Sequence, residues 1–306
     1  MISLQQVSRS YNGGLVQAVK DFSLTVEKGC LYGLIGPDGA GKTTIFRILT
    51  TLLLPDSGTA TVNGWDCVKD YRQIRRNIGY MPGRFSLYKD LTVEENLQFF
   101  ATLFGTTIQA NYHLISDIYT MLEPFKKRRA GQLSGGMKQK LALCCALVHK
   151  PLVLFLDEPT TGVDAVSRKE FWEMLRRLQA MDITILVSTP YMDEAARCDR
   201  IALLREGELL LENSPDGIRN AYPYPLYALR SENSFRLLEQ CRAYDHLRSC
   251  YAFGESLHFS FRDDSPAERE AFQHFLNEAG YPHLRPEPIQ PGIEDTFLHL
   301  LEHHHA

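Results

Sequence analysis

The stretch GPDGAGKTT at residues 36–44 decides the fold, because it has the pattern of a loop that binds a polyphosphate. It fits G-x-x-x-x-G-K-[ST] at Gly36, Gly41, Lys42 and Thr43. Glycines let consecutive backbone N–H groups curve around phosphate oxygens, and the start of the next helix adds positive potential. The apolar run LYGLI before it predicts a strand, and IFRILTTLL after it predicts a helix that ends near Leu53.

The side chains of this loop predict a nucleotide site that also holds Mg²⁺. Lys42 would reach the β- and γ-phosphates of the nucleotide, and the hydroxyl of Thr43 would contact the metal ion. The nucleotide-binding positions predicted in the loop are Gly36, Asp38, Gly39, Ala40, Gly41, Lys42, Thr43 and Thr44.

A second motif, LVLFLDE at residues 152–158, is an unbroken apolar run that ends in two acids. Such a run is typical of a strand that is covered on both faces of a parallel sheet. Asp157 would then emerge at the strand end to hold Mg²⁺, and Glu158 would polarise the attacking water. Two acids at a strand end are common, but together with the phosphate loop they predict nucleotide hydrolysis with Glu158 and Lys42 as catalytic residues.

The composition restricts the class of protein. The chain has 306 residues, a net charge of -4 and seven cysteines without a C-x-x-C pair. The charge argues against nucleic-acid binding, and the cysteine pattern favours reduced thiols in the cytosol. No apolar run reaches the ~20 residues of a membrane span, and no secretory signal is visible. The terminal histidines, His303 to His305, are not predicted to bind a metal.

Changes in pattern along the chain predict two domains, with a boundary between residues 220 and 221. Short strands dominate up to about residue 66, and residues 91–150 are largely helical, with a helix start at Thr92 and Glu95. After the boundary, SLHFSF at residues 256–261 alternates like a half-buried strand. Ser265 and Glu268 there have the spacing of a capping box, and Gly280 ends the helix that follows.

The run LSGGMKQK at residues 133–140 lies between the two nucleotide motifs, and here the chain resembles the ATP-binding cassette family. The order of phosphate loop, signature and acidic strand matches this family over residues 1–220. The segment TGVDAVSR resembles the family's D-loop, with Asp164, and Tyr11 resembles the aromatic residue that stacks on adenine.

The resemblance implies a fold and a partner. The fold is α/β, a P-loop NTPase cassette whose RecA-like parallel sheet core carries an antiparallel β subdomain and a helical subdomain at about residues 84–148. A small C-terminal α+β accessory domain would cover residues 221–306. The resemblance also implies that Ser134, Gly135 and Gly136 contact the γ-phosphate bound by a second cassette, so that two ATP molecules lie between two chains.

Two positions depart from the family pattern. After the strand NIGYM the family usually has a glutamine that contacts Mg²⁺ and the attacking water, but this chain has Gly83. After ILVST the family usually has a histidine that contacts the γ-phosphate, but this chain has Pro190. We therefore expect intact ATP binding and slow hydrolysis, since one such contact is worth ~10²–10³ in rate. Gln139 and Arg84 are candidate substitutes by their proximity in sequence.

The segments YMPGRFSLYKDLTVEENL, STPYMDEA and PGIEDTFLHLL resemble multidrug-type exporters of the ABC-2 group. This implies a cytoplasmic ATPase, peripheral at the inner face of the membrane, that works with a separate permease. RFSLY at residues 84–88 is a candidate permease contact. One alternative is a cassette that binds ATP but mainly regulates or pairs with an active cassette. Another is a cassette protein of translation or DNA repair, which the short spacing of the motifs disfavours.

Overall fold

A computed structural model of the chain describes residues 1–231 and 233–303. Residues 304–306, with part of the terminal histidine run, lie outside the described residues. The chain divides into two compact units, one from Met1 to Pro215 and one from Asp216 onward. The division falls slightly before the boundary predicted between residues 220 and 221.

Strands and helices alternate along most of the first unit. Its strands are β1 Ile2–Tyr11, β2 Val16–Val26, β3 Leu31–Ile35, β4 Ser57–Val62, β5 Trp65–Asp66, β6 Ile78–Met81, β7 Val153–Asp157, β8 Thr184–Thr189, β9 Arg200–Arg205 and β10 Glu208–Asn213. Its helices are α1 Lys42–Leu49, α2 Tyr71–Asn77, α3 Val93–Leu103, α4 Tyr112–Leu122, α5 Gly135–Leu147, α6 Ala165–Gln179 and α7 Met192–Ala195. Helix α8, Pro215–Arg219, begins at the last residue of the unit.

A six-stranded sheet in the order β10-β9-β3-β8-β7-β6 forms the centre of the unit. Its neighbouring strands are parallel except for β10, which pairs antiparallel with β9 at the edge. Every residue of β3, β7 and β8 is buried, as expected for strands that are covered on both faces. The P-loop NTPase fold predicted from the sequence is confirmed.

The register of these strands brings several loops to one edge of the sheet. Ile35 of β3 lies opposite Thr189 of β8, and Asp157 of β7 lies opposite Ser188. Because the strands are parallel, the segments that follow them emerge side by side. The phosphate loop, the acids at the end of β7 and the turn after β8 therefore meet at the same edge.

A second sheet, β2-β1-β4-β5, is antiparallel and shares a hydrophobic core with the central sheet. Helix α1 contributes to this core through Phe46, whose ring packs edge to face on Phe155 of β7 with centroids 6.0 Å apart. This core supports the start of α1, and with it the phosphate loop, against the strand that carries the acids.

The predicted helix after the phosphate loop is too long. Helix α1 ends at Leu49, whereas the sequence predicted an end near Leu53. Thr51 adopts the left-handed conformation, with φ of 62°, and the N–H groups of Leu52 and Leu53 both return to the carbonyl of Arg47. These backbone bonds close the helix early, although the apolar pattern continues.

Helices α3, α4 and α5 lie in sequence between β6 and β7, in the segment predicted to be helical. The predicted start of α3 is confirmed, because Thr92 and Glu95 form a reciprocal capping box. Asn96 lies in the next turn and is completely buried. Its side chain accepts from the N–H of Tyr88 at 3.1 Å and donates to the carbonyl of Tyr88 at 3.0 Å, so it ties the RFSLY segment to α3.

The second unit contains an antiparallel sheet with strands in the order β12-β13-β11-β14. Its elements are β11 Leu226–Arg230, α9 Ser234–Arg242, β12 Leu247–Phe253, β13 Ser256–Phe261, α10 Pro266–Glu278, β14 Glu287–Ile289 and α11 Ile293–His303. The predicted strand SLHFSF is β13, and its Leu257, Phe259 and Phe261 enter the core. No described helix of either unit combines the length and apolar character needed to cross a bilayer.

The predicted capping box at the start of α10 is only half formed. Ser265 accepts from the N–H of Glu268 at 3.2 Å. The Glu268 carboxylate turns instead to the hydroxyl of Tyr244, at 2.6 Å, and to the ring of His246. A tertiary partner has thus replaced the local one.

We expect Thr92→Ala to destabilise the first unit by about 1 kcal/mol, because it removes the side-chain cap of α3. Thr102→Ala is the matched control, since Thr102 is an exposed threonine in the same helix. Its loss should change the free energy of unfolding by no more than about 0.5 kcal/mol. Chemical denaturation of both variants measures the difference, and equal effects would contradict the capping role.

Candidate functional site

The phosphate loop joins β3 to α1 with its backbone in a conformation that requires glycine. Gly41 is the N-cap of α1 and has φ of 98°. A Cβ atom at this position would lie 2.4 Å from the carbonyl oxygen of Ala18, so no other residue fits. Asp38 and Gly39 are exposed at the tip of the loop, whereas Gly36 and Ala40 are buried at its base.

Lys42 begins α1 and directs its ammonium group back into the loop. The Nζ atom donates to the carbonyls of Gly36, at 2.7 Å, and Pro37, at 3.0 Å. It also lies 3.3 Å from Oε1 of Glu158, and the Lys42 side chain is only 4% exposed. Two residues predicted from separate motifs are therefore in direct contact, and the loop holds a buried positive charge next to a carboxylate.

The two acids at the end of β7, Asp157 and Glu158, differ in their surroundings. Asp157 is 3% exposed and accepts a hydrogen bond from the hydroxyl of Ser188 at 2.7 Å. No cationic side chain of the described residues lies within ion-pair distance of Asp157, and a buried carboxylate without a cation is a fitting ligand for Mg²⁺. Thr43, the other predicted metal ligand, is half-buried at the start of α1.

Glu158 is held by its backbone at the end of β7. Its N–H donates to both the hydroxyl of Ser188, at 2.9 Å, and the carbonyl of Ser188, at 3.1 Å. Its φ of 49° is left-handed, which is rare for a residue with a side chain. Ser188 therefore connects to both acids, a role that the sequence does not reveal because a small polar residue in a strand is its only trace.

A buried carboxylate, Glu194 of α7, forms a second link that was not predicted from the sequence. Thr160, in the loop after Glu158, donates to Oε1 of Glu194 at 2.7 Å. Thr189, at the end of β8, donates to Oε2 at 2.6 Å. The acidic pattern in this helix gave no sign of burial, because acids near a helix N-terminus are usually solvated.

The two departures from the family pattern lie at the same edge as the phosphate loop. A Cβ atom on Gly83 would lie 3.1 Å from the carbonyl oxygen of Asp157 and 3.9 Å from Cβ of Glu158. Pro190 follows Thr189, whose partner in β3 is the residue just before Gly36. Helix α7 begins at Met192, so Pro190 precedes it and is not its first residue.

The candidate substitutes for the missing groups do not reach the acids. Gln139 lies beside Pro159 and Thr160, in the loop after Glu158, and Arg84 is exposed. Among the described residues, neither side chain hydrogen-bonds to the phosphate loop, Asp157 or Glu158. The geometry therefore gives no support to either substitution.

The signature residues begin α5. Ser134 is the N-cap and accepts from the N–H of Met137 at 3.3 Å, which leaves the exposed Gly135 at the helix start. A Cβ atom on Gly136 would lie 2.8 Å from the hydroxyl of Ser167, so the signature packs on α6. None of these three residues hydrogen-bonds to the phosphate loop within the described part of the chain.

Two further predicted residues lie at the borders of the site. The hydroxyl of Tyr11 is 3.3 Å from that of Thr44, so Tyr11 is next to the phosphate loop. Asp164 caps α6 by accepting from the N–H of Ser167 at 3.0 Å. That hydrogen bond lowers the pKa of Asp164, which keeps the D-loop carboxylate ionised.

An apolar groove of about 320 Å³ lies beside β6, α3 and α5. Its lining includes Leu87 of the RFSLY segment, Phe100, Phe104 and His149. The His149 ring stacks on Phe104 with centroids 3.7 Å apart, and its Nε2 bonds to the carbonyl of Ile78 at 2.9 Å. Leu52, at the margin, is 58% exposed, so apolar surface here faces solvent.

The parallel sheet, the glycine-rich loop and the buried Lys42–Glu158 contact define a P-loop NTPase. A model of the ABC transporter family matches residues 19–161. The chain is 39% identical over 306 residues to the probable multidrug ABC transporter ATP-binding protein YbhF of Escherichia coli, with 98% of this chain and 52% of that protein covered. It thus spans about half the length of that relative.

Two other similarities cover nearly the whole of the matched protein. The Nod factor export ATP-binding protein I of Rhizobium sp. is 37% identical, with 98% of this chain and 96% of that protein covered. The dimeric post-hydrolysis structure of the ATP-binding cassette MJ0796, bound to ADP and Pi, has a TM-score of 0.63 at 26% identity, covering 70% of this chain and 98% of that one. The chain therefore belongs to the ABC transporter family, as one of its ATPase cassettes.

The groove histidine leads to a pH prediction. Burial lowers the pKa of His149 below its ordinary value of 6.5, so the folded protein favours the neutral ring. The unfolded chain binds the proton at a higher pH, and stability should therefore fall as the pH drops through about 6.5. We expect His149→Gln to lose less stability than wild type between about pH 7.5 and about pH 5.5, because it lacks the protonation of this histidine.

Denaturation midpoints of wild type, His149→Gln and His113→Gln at both pH values measure this effect. His113 is exposed, so its variant controls for the loss of a histidine. An identical pH dependence in all three proteins would show that His149 is not responsible.

Proposed function

We propose that this chain is the ATP-binding and ATP-hydrolysing subunit of an exporter, and that it drives a separate ABC-2 type permease through ATP-dependent pairing of two cassettes. The observation that carries the proposal is the contact of Lys42 with Glu158, at 3.3 Å, inside a phosphate loop. The export function rests on the similarity to relatives whose names include multidrug transport and Nod factor export.

The contacts of each side chain support its role at the site. The buried ammonium of Lys42 would bind the β- and γ-phosphates, and these would compete with Glu158 for it. The carboxylate of Glu158 would then be available to polarise the attacking water. Thr43 and Asp157 would hold Mg²⁺, which neutralises phosphate charge when bound. Tyr11 would stack on the adenine ring.

A second cassette completes the site in this proposal. Ser134 and Gly135 are exposed at the start of α5, a helix of 13 residues, where backbone N–H groups favour an anion. In the described part of the chain they form no hydrogen bond with their own phosphate loop, which supports a role toward ATP bound by a partner. The dimeric form of the similar cassette MJ0796 is consistent with this pairing.

The permease would dock in the apolar groove. The groove is open, mainly apolar and large enough for side chains of a short helix. Leu87 of the RFSLY segment lines it, and Gly83, just before that segment, lies beside Asp157. The segment thus connects the groove to the hydrolytic site. In this arrangement the cassette is cytoplasmic and peripheral at the inner face of the membrane.

One observation favours a second candidate, a cassette that binds ATP but barely turns over and that regulates or pairs with an active cassette. Gly83 and Pro190 both lie at the site, and neither has a side chain that can hydrogen-bond. Lys42, Thr43, Asp157 and Glu158 are all in place, so this candidate differs from the first in turnover and not in ATP binding.

The ATPase rate of the purified protein separates the two candidates. We expect wild type to hydrolyse ATP and Glu158→Gln to lose at least about a hundredfold in kcat, because the carboxylate that polarises water is gone. ATP affinity should be retained in the variant, which a binding titration would verify. If wild type hydrolyses ATP no faster than Glu158→Gln, the exporter ATPase proposal fails and the regulatory cassette is favoured.

Restoring the missing side chains tests the two departures. We expect Gly83→Gln and Pro190→His each to raise kcat by about tenfold or more with ATP affinity nearly unchanged, since each adds a contact made during hydrolysis. Gly83→Ala controls for the added Cβ atom, and Pro190→Ala controls for the loss of the ring. A flat response in both restored variants would show that the site hydrolyses ATP by another arrangement.

A further inference from the structure

Glu194 binds two segments that border the hydrolytic site. It is 2% exposed, and its carboxylate accepts hydrogen bonds from Thr160 at 2.7 and 3.0 Å and from Thr189 at 2.6 Å. Thr160 lies two residues after Glu158 and leads toward the D-loop, whereas Thr189 is the last residue of β8. A single carboxylate thus joins the loop after β7 to the end of β8.

The burial of this carboxylate makes the two hydroxyls necessary. A buried carboxylate is costly unless it receives hydrogen bonds or a cation. Among the described residues, Arg168 is the cation within ion-pair distance, and its Nη1 lies 4.0 Å from Oε1. The Arg168 guanidinium also lies 5.1 Å from the centre of the Tyr191 ring. The threonine hydroxyls are therefore the close donors, and both loops must stay in place to satisfy Glu194.

Glu194 and Ser188 both join the end of β8 to the segment that follows β7. Ser188 receives the N–H of Glu158, and the neighbouring Thr189 binds Glu194, which returns to Thr160. Three hydrogen bonds and the chain segments 158–160 and 188–189 therefore close a ring that includes the backbone N–H of Glu158. Glu158 also has a left-handed φ of 49° that the backbone does not favour alone. Such a ring would hold the carboxylate of Glu158 in one place.

We propose that Glu194 is a positioning residue for hydrolysis, which holds Glu158 in its productive geometry by tying Thr160 to Thr189. The inference rests on the proposed ATPase function of Glu158. With Gly83 and Pro190 in the chain, two side chains that contact this region in the family are absent. The hydrogen-bonded ring around Glu158 is then what preorganises the water-polarising carboxylate.

A matched pair of substitutions in β8 tests this role. Thr189→Val removes the hydroxyl that donates a hydrogen bond to Glu194. Thr184→Val makes the same change in a threonine that is also completely buried, at the opposite end of the strand. We expect Thr189→Val to lower kcat by about tenfold to a hundredfold with KM changed by less than about threefold. Thr184→Val should keep kcat within about threefold, whatever its effect on stability.

Variants of Glu194 and Thr160 extend the test. Glu194→Gln keeps one acceptor oxygen and should retain more activity than Glu194→Ala. Thr160→Val should also lower kcat, and the double variant with Thr189→Val should lose less than the product of the two single losses, because both hydroxyls serve one carboxylate. Melting temperatures of all variants separate lost positioning from lost stability.

Amide hydrogen exchange over residues 158–164 gives a readout that does not need turnover. We expect faster exchange there in Thr189→Val and no change in Thr184→Val, since only the former opens the ring. A loss of kcat together with faster local exchange supports the inference. Equal kcat in the two threonine variants, or unchanged exchange in Thr189→Val, overturns it.

The two proposals can fail separately. If wild type is no more active than Glu158→Gln, the proposed ATPase function fails, and exchange over residues 158–164 alone decides whether Glu194 positions this loop. If wild type is active but Thr189→Val matches Thr184→Val in kcat, the ATPase function stands and the role of Glu194 is refuted.

Discussion

The site depends on the register of three parallel strands. Because Ile35, Thr189 and Asp157 end β3, β8 and β7 at one edge of the sheet, the segments that follow them have to meet. The contact between Lys42 and Glu158 is the direct result, since one residue follows β3 and the other follows β7. The burial of these strands on both faces makes a shift of register costly, and the same register fixes the relative positions of the site residues.

Polar groups in this core are linked in pairs and rings. Ser188 binds both Asp157 and Glu158, and Glu194 binds Thr160 and Thr189. Buried polar groups of this kind are tolerated only when their partners are present, so they favour one arrangement of the loops over others. These hydrogen bonds hold the backbone around Glu158 at the edge where the chain has Gly83 and Pro190.

Much of the fold and of the nucleotide site could be predicted from sequence because the signals were local. The glycine pattern from Gly36 to Gly41 is typical of a phosphate loop, and the apolar runs of β7 and β8 are typical of strands that are buried on both faces. The predicted end of α1 was wrong because the left-handed Thr51 turns the chain and backbone hydrogen bonds to Arg47 close the helix. Backbone hydrogen bonds are not visible in the hydrophobic pattern of the sequence. The capping box predicted for α10 is only half formed because the Glu268 carboxylate hydrogen-bonds to Tyr244 and His246 instead of to the helix start.

The sequence by itself determined the class of the protein, the phosphate loop with Lys42, and the acids Asp157 and Glu158. Each of these depends on residues that are neighbours in the chain. Only the tertiary structure decided that Ser188 and Glu194 belong to the same site, and that Gly83 lies against Asp157. The reason is physical: Ser188 with Asp157, Glu194 with Thr160 and Gly83 with Asp157 are pairs far apart in sequence. A single polar residue in a strand or helix does not reveal that it will be buried at the sheet edge.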